Sequence, residues 1–294
     1  MYESIFINGS GSNIFSTLGA LDKLKSQIEN ITIWNVNGNA SLVLFYKLLG
    51  LTPKQTFDKL KDFDIVNSFI NGHSLFPEDE DEKKEYIKGF LEKSFKGALF
   101  NSDITLEGIN SLTGIKPCFI VWNRTEQKIV NLNAKDNPKM KLLDCVLATL
   151  TNIGVYNTYE INEDIYSSLE NIECFPVSFS YYTSVDNLFY LVNITDYNKK
   201  YSLGINLGPL KDTEDEFLTQ KGEYHKYRIE NSCNALPNSE NMCKLYSVFS
   251  RGNSKEEEKA SLFILGHRQA DGFISGKDTR RVYKKYLEDI YQQN

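Results

Sequence analysis

Residues 31–50, ITIWNVNGNASLVLFYKLLG, pass from a β-branched run through the small and polar residues Asn37, Gly38, Asn39 and Ala40 straight into apolar sequence. Ile31, Ile33 and Val36 favour a strand over 31–36. Leu42, Leu44, Phe45, Leu48 and Leu49 follow at helical spacing, and Gly50 ends the run. Strand, sharp turn and buried helix in that order form the frame on which a nucleophile elbow is built. An elbow nucleophile must be a Ser, Cys or Thr between small residues, because the backbone there is strained and its neighbours must leave room. Gly38 has no side chain and Ala40 no reactive one. Ser41 is the only hydroxyl in the turn and lies where the helix has begun, so its oxygen is expected to bond back to the preceding turn.

The same frame occurs upstream. ESIFIN (residues 3–8) reads as a strand, Asn8 to Asn13 as a turn, and Ile14, Leu18, Leu21, Leu24 and Ile28 as one helical face. Downstream, Thr52 and Pro53 open a helix as cap and first-turn residue. The acidic run Glu78 to Glu82 loads the first turn of another, whose inner face is expected to hold Tyr86, Phe90 and Leu91. A helix start is read at residues 103–107, a strand at CFIVWN (118–123) with KIVNL beside it, and a buried helix over 138–150. Trp34 and Trp122 are expected to pack the sheet. VSFSYYT, NLFYLVNIT and YSLGINLG complete the strand candidates. Helices alternating with β-branched strands imply an α/β fold, a central mostly parallel sheet flanked by helices on both faces. With no linker in sight, residues 1–294 are expected to form one domain. Residues 213–243 are polar and read as a surface excursion, KLYSVFS as a return to the core, and 255–293 as two helices separated near Gly272 to Gly276.

A formal charge of -6 argues against broad attraction to nucleic acid, leaving only a small basic patch at Arg280, Arg281, Lys284 and Lys285. No apolar run is long enough to cross a bilayer, and the first residues lack the basic flank and apolar core of a signal peptide, so they are expected to begin the fold directly. The mean hydropathy of -0.39 suits a soluble protein. The five cysteines, Cys118, Cys145, Cys174, Cys233 and Cys243, show no metal-like pairing and read as buried thiols, with Cys233 and Cys243 able to bridge if oxidised. His73, His225 and His267 are scattered, so no metal and no cofactor is expected. The turn at Asn8 to Asn13 matches neither the dinucleotide fingerprint nor a P-loop.

Several pieces together resemble the patatin-like phospholipase family, in its compact viral and bacterial form. They are FINGSGSNIFSTLGALDKL with Gly19-Ala20-Leu21, the elbow stretch closing in Gly50-Leu51-Thr52-Pro53, SDITLEGINSLTGIKPCFIVWN, NPKMKLLDCVLATL and LFILGHRQADGFI. The resemblance implies a three-layer sandwich and a Ser/Asp dyad that cleaves lipid acyl esters. Counting back from Gly50 places the family's Ser at Gly38, with Val36 and Ala40 for the flanking glycines. A register shifted by two places it at Ala40. The resemblance puts the oxyanion loop at Gly9, Ser10, Gly11, Ser12, Asn13 and Ile14, with Asn13 where a cation is common and Ile14 where a Gly is expected. The Asp loop falls at Ser168, Leu169 and Glu170, with Ser168 at the position of the Asp.

These departures imply no catalytic residues and a degenerate elbow over Val36, Asn37, Gly38, Asn39 and Ala40. The expected function is that of a catalytically inactive patatin-like protein with a structural or protein-interaction role, in a large DNA virus particle or assembly, located in host or bacterial cytoplasm or in the virion. Protein partners or self-assembly are expected, with a lipid in the residual cleft as a further possibility and no nucleic acid. Two alternatives stand beside it: an acyl hydrolase whose relocated dyad pairs Ser41 or Ser10 with Asp164 or another carboxylate, and a lipid-binding module that does not cut.

Overall fold

The computed structural model describes residues 2–9, 13–63, 79–151, 156–169, 173, 175–196, 212–236, 238–248 and 256–291. Within them one eight-stranded sheet carries the fold. Its strands are β1 (Ser4–Asn8), β2 (Ile33–Asn37), β3 (Lys116–Asn123), β4 (Lys128–Asn133), β5 (Tyr159–Ile161), β6 (Asp164–Ser167), β7 (Leu188–Asp196) and β8 (Met242–Val248). The helices are α1 (Ile14–Lys23), α2 (Lys25–Ile28), α3 (Ala40–Leu48), α4 (Pro53–Leu60), α5 (Glu80–Ser94), α6 (Leu106–Thr113), α7 (Leu142–Thr149), α8 (Asp212–Ala235), α9 (Glu256–Ile274) and α10 (Thr279–Tyr291).

The sheet is mixed. β3, β2, β1, β7 and β8 are neighbours in that order and run parallel, while β4 and β6 pair antiparallel with β3 and β5 with β6. β1 and β2 are buried along their whole length, as parallel strands covered on both faces are. Ile5, Ile7, Trp34, Val36 and Phe119 face one apolar cluster with α1, α3, α5 and α7. Phe6, Ile120, Tyr190, Val192 and Tyr246 face the other, with residues of α8 and α10. β1 is flanked by β2 on one side and β7 on the other, so it stands at the switch point of the sheet, where α/β folds place their sites.

The edge of β3 decides where the site lies. β4 occupies one side of β3 along residues 118–123. The other side is shared: β2 pairs as far as Val36 with Phe119, and β6 takes over at Ser167 with Trp122. The end of β2 and the residue after β6 therefore approach each other alongside Ile120 and Val121. Along a strand that interval is about 10 Å.

Two glycines far apart in sequence explain each other. A Cβ on Gly19 of α1 would stand 1.9 Å from the Phe263 carbonyl oxygen of α9, and one on Gly266 of α9 would stand 1.9 Å from the Ser16 carbonyl oxygen of α1. The helices cross backbone to backbone, and only glycine permits that approach. Ser16 Oγ bonds across the crossing to the Leu262 carbonyl at 3.2 Å. Gln269, one turn on from Gly266, then grips the backbone of β8, accepting from Tyr246 N at 2.7 Å and donating to its carbonyl at 2.9 Å. The LGHRQA motif thus seats α9 on α1 and on the outer parallel strand.

Three sequence expectations are corrected. Residues 213–243 form α8, the turn after it and the first residues of β8, because Ile229 and Cys233 anchor the polar helix in the second cluster. VSFSYYT is a 3-10 turn (Val177–Phe179) and irregular chain, not a strand: both polar groups of the Asn35 amide clip the backbone of Tyr181 onto the face of the sheet, while β7 takes the place beside β1. The inner face of α5 holds Ile87, Leu91 and Phe90, which stacks on Phe63, whereas Tyr86 is exposed. Cys118, Cys145, Cys233 and Cys243 are buried thiols, as read from the sequence. YSLGINLG, His73 and Cys174 lie outside the described residues.

Candidate functional site at the end of β2

β2 delivers a fully buried strand to the turn, and α3 begins at Ala40 with Asn39 before it. Between them Gly38 has φ 56°, in the left-handed region that side chains resist and glycine does not. Of the two registers read from the sequence, the strained residue is Gly38, and Ala40 is the first residue of the helix. Gly9, at the start of the Gly-rich loop, packs directly on this turn. Its N–H donates to the Asn37 carbonyl at 3.0 Å, and a Cβ on it would stand 2.4 Å from Ala40 N. The small residues therefore serve the contact between the first loop and the elbow.

Ser41 does not bond to the preceding turn as expected. Its side chain is buried and its Oγ meets no hydrogen-bond partner among the described residues. The Asn37 amide is likewise buried with neither polar atom paired. Asp164 lies elsewhere, at the start of β6 after the hairpin turn of Asn162 and Glu163, where it accepts from the Tyr166 hydroxyl at 3.3 Å. The Ser41 and Asp164 side chains are not brought together.

Asn13 and Ile14 are absorbed by the scaffold. The Asn13 amide donates to Thr195 Oγ1 at 2.6 Å and accepts from the Ser247 hydroxyl, and Ile14 is buried in the first cluster. A second asparagine, Asn193 on β7, ties the two walls of the switch point together. Its backbone N donates to Asn8 Oδ1 at 2.7 Å, and its amide donates to the Asn8 carbonyl at 2.7 Å and to Thr17 Oγ1 at 2.9 Å. This buried network of short polar side chains fixes α1 against β7 and β8, and sequence reasoning missed it because asparagines in apolar strands carry no periodicity signal. Ser10, Gly11, Ser12 and Glu170 lie outside the described residues.

Ser168 follows β6 and stands opposite the end of β2 by the register of β3, with its N–H donating to Thr151 Oγ1. Leu169 is fully buried in the second cluster, and its carbonyl holds Glu173 N at 2.8 Å. Glu173 in turn pairs with Arg228 of α8 at 2.9 Å. The structure thus packs Gly9 on the elbow turn, while Ser168 lies along the same edge of β3 as the end of β2. Neither nearby thiol serves as a nucleophile there: burial pushes Cys118 up to about 12 and Cys145 well above its ordinary range. Among the described residues, His, Cys, Asp and Glu form no group of three or more able to hold a metal, and no helix is long and apolar enough to cross a membrane.

No family model matches the chain, and no curated protein sequence does. Solved structures do. VipD of Legionella pneumophila aligns over 94% of this chain and 67% of its own, with TM-score 0.56 at 10% identity. The type III effector ExoU aligns over 94% of this chain and 53% of its own, with TM-score 0.47 at 10% identity, so this chain spans about half of ExoU. The chain has an α/β fold with a mixed central sheet flanked by helices, and in that fold it is similar to VipD.

Proposed function

We propose that this chain is a catalytically silent patatin-like protein whose folded body does structural or protein-interaction work, in an assembly such as a large DNA virus particle. The observation that carries the proposal is Gly38. Gly38 holds the left-handed backbone at the turn after β2, Gly9 packs on that turn, and glycine at the left-handed position offers no nucleophile, which supports the reading. Ser168 supplies no carboxylate at the facing position. Ser41 is no substitute, since a buried hydroxyl with no base or carboxylate beside it has nothing to take its proton.

Magnitude separates weak from absent activity. In subtilisin, loss of the nucleophile alone lowers kcat by about 10⁶-fold, leaving what oxyanion donors and binding provide. The purified chain is expected to hydrolyse p-nitrophenyl and phospholipid esters no faster than blank, and Ser41→Ala to change nothing. Turnover above blank that Ser41→Ala abolishes would overturn the proposal.

A further inference from the structure

We propose that the face of the sheet beneath residues 177–183 binds a small uncharged molecule bearing a carboxamide on an apolar body, held by the Asn37 amide and the hydroxyls of Ser180 and Tyr190. The inference stands whether or not the elbow is catalytically silent, because it rests on where unpaired polar atoms gather.

Asn37 leaves both amide atoms, Ser180 its Oγ and Tyr190 its hydroxyl buried with no hydrogen-bond partner among the described residues. Asn37 is 1% exposed and Tyr190 0%. An unpaired buried polar atom is destabilising, and folded chains carry few of them, so three neighbouring residues in that condition point to a group that joins them.

The strand register makes them neighbours. Trp34 and Val36 face the first cluster, so Asn35 and Asn37 face the second, on the same side as Phe6, Ile120 and Tyr190. Asn35, Phe6 and Tyr190 stand abreast on β2, β1 and β7. One same-face step further along β2, Asn37 comes abreast of Ile120, whose partner on β4 is Asn131. The chain after β6 crosses between these two rows. The Asn131 amide donates to the Phe179 carbonyl at 2.9 Å, and the Asn35 amide accepts from Tyr181 N at 2.6 Å and donates to the Tyr181 carbonyl at 3.0 Å. Ser180 is thereby fixed between β4 and β2, over Ile120 and beside Asn37. Tyr182, two residues on, lies close to Tyr190, whose pKa is raised first by burial and then by that neighbour. At ~4.8 Å between strands and ~7 Å between same-face positions, the Cα atoms of Asn37 and Tyr190 are about 12 Å apart, and their side chains close that distance to the span of one small molecule.

The chemistry of the patch selects the class. Of the charged side chains beside this segment, Glu173 pairs with Arg228 and Glu3 accepts from Thr183, so a charged ligand would be buried without a counterion. An asparagine amide donates and accepts along one edge, and a carboxamide answers it in both directions, with two hydroxyls left to take its remaining lone pair and N–H. Phe6, with Phe175 edge-on at 5.2 Å, and Ile120 supply the apolar wall for the body.

The test is thermal unfolding of the full chain with benzamide as probe, beside benzoate and ethylbenzene, which keep the ring but lack the neutral amide. The proposal expects Tm to rise with benzamide, by about 4 °C at a hundred times Kd, and benzoate and ethylbenzene to do markedly less. Tyr190→Phe and Asn37→Leu should abolish the benzamide shift. Without benzamide, Tyr190→Phe should itself raise Tm by about 2–5 °C, since it removes a polar atom that has no partner in the chain. Tyr190→Phe alone carries the test if Asn37→Leu does not fold. No shift with benzamide overturns the proposal, as does a shift that Tyr190→Phe keeps or that benzoate matches. A Tyr190→Phe variant less stable than wild type also overturns it, because the hydroxyl would then have a partner within the chain. None of these outcomes bears on ester hydrolysis, so this proposal and the proposed function fail separately.

Discussion

Gly266→Ala should unfold this protein more easily even though it adds a better helix former to the middle of a helix. The new Cβ would stand 1.9 Å from the Ser16 carbonyl oxygen, with the Ser16 carbonyl carbon at 2.6 Å and its Cα at 2.8 Å. All three are backbone atoms, so no side-chain rotation relieves the overlap. Reaching ordinary contact near 3.5 Å means separating α1 from α9 by about 1.5 Å, which is enough to forfeit much of the dispersion energy along the crossing. It also strains the bond from Ser16 Oγ to the Leu262 carbonyl and the edge-on ring contact of Phe57 with Phe263. Overpacking costs about 1–3 kcal/mol, and a case fixed by backbone on both sides belongs at or above the upper end. The helix propensity gain of Ala over Gly returns at most about 1 kcal/mol, leaving a net loss of about 2 kcal/mol. With an unfolding entropy of ~2.1 cal/mol/K per residue, a chain of 294 residues loses about 3 °C in Tm. Gly89→Ala in α5 is the control, since a Cβ there meets nothing within 4 Å, and it should raise Tm by about 1 °C. Thermal unfolding followed by circular dichroism measures both. If Gly266→Ala proves as stable as wild type, the close crossing of α1 and α9 is not as described.

Gln269→Leu should cost more than most core polar changes, about 2–4 kcal/mol in urea unfolding, because both the N–H and the carbonyl of buried Tyr246 lose their partner. Stability should fall between pH 10 and pH 12. Burial raises Tyr46, Tyr166 and Tyr246 to about 12 from the ordinary 10, so the unfolded chain releases these protons first. Their contribution is complete below pH 10 and lost as pH rises through 12, and tyrosinate absorbance should appear together with unfolding rather than before it. Cys118, Cys145 and Cys243 should resist alkylation in the native protein at pH 8 and react fully in urea, as mapped by mass spectrometry. Native labelling of Cys118 would contradict its burial.

Much of the frame was legible because it rests on local signals. The strand, turn and helix around Gly38 announce themselves through β-branched residues, small residues and leucines, and the next helix through Thr52 as cap and Pro53 in the first turn. Gly19 and Gly266 were visible as pieces of motifs. What no local pattern could show is that they are two halves of one contact, 247 residues apart. α8 was illegible for the opposite reason: Ile229 and Cys233 are too few to give a polar helix a periodic stripe, and the sheet face decides its place. At the site, the sequence named Gly38 and Ser168 from a resemblance, but that both lie along one edge of β3 depends on β6 taking over that edge from β2. The Asn193 network was missed because each member reads alone as an ordinary polar residue. The unpaired hydroxyl of Ser41 was missed because the expectation of a bond to the preceding turn rested on sequence spacing alone.

The central claim is that the elbow has kept its shape and lost its chemistry, and a fluorophosphonate probe tests it without knowledge of any substrate. The probe reacts with a serine only where a base and oxyanion donors activate the hydroxyl. The native chain, incubated with the probe and weighed intact, should show no added mass, and the same result should follow for Ser41→Ala. A single stoichiometric adduct on the native chain, mapped to Ser10 or Ser41 and absent after denaturation, would contradict the account.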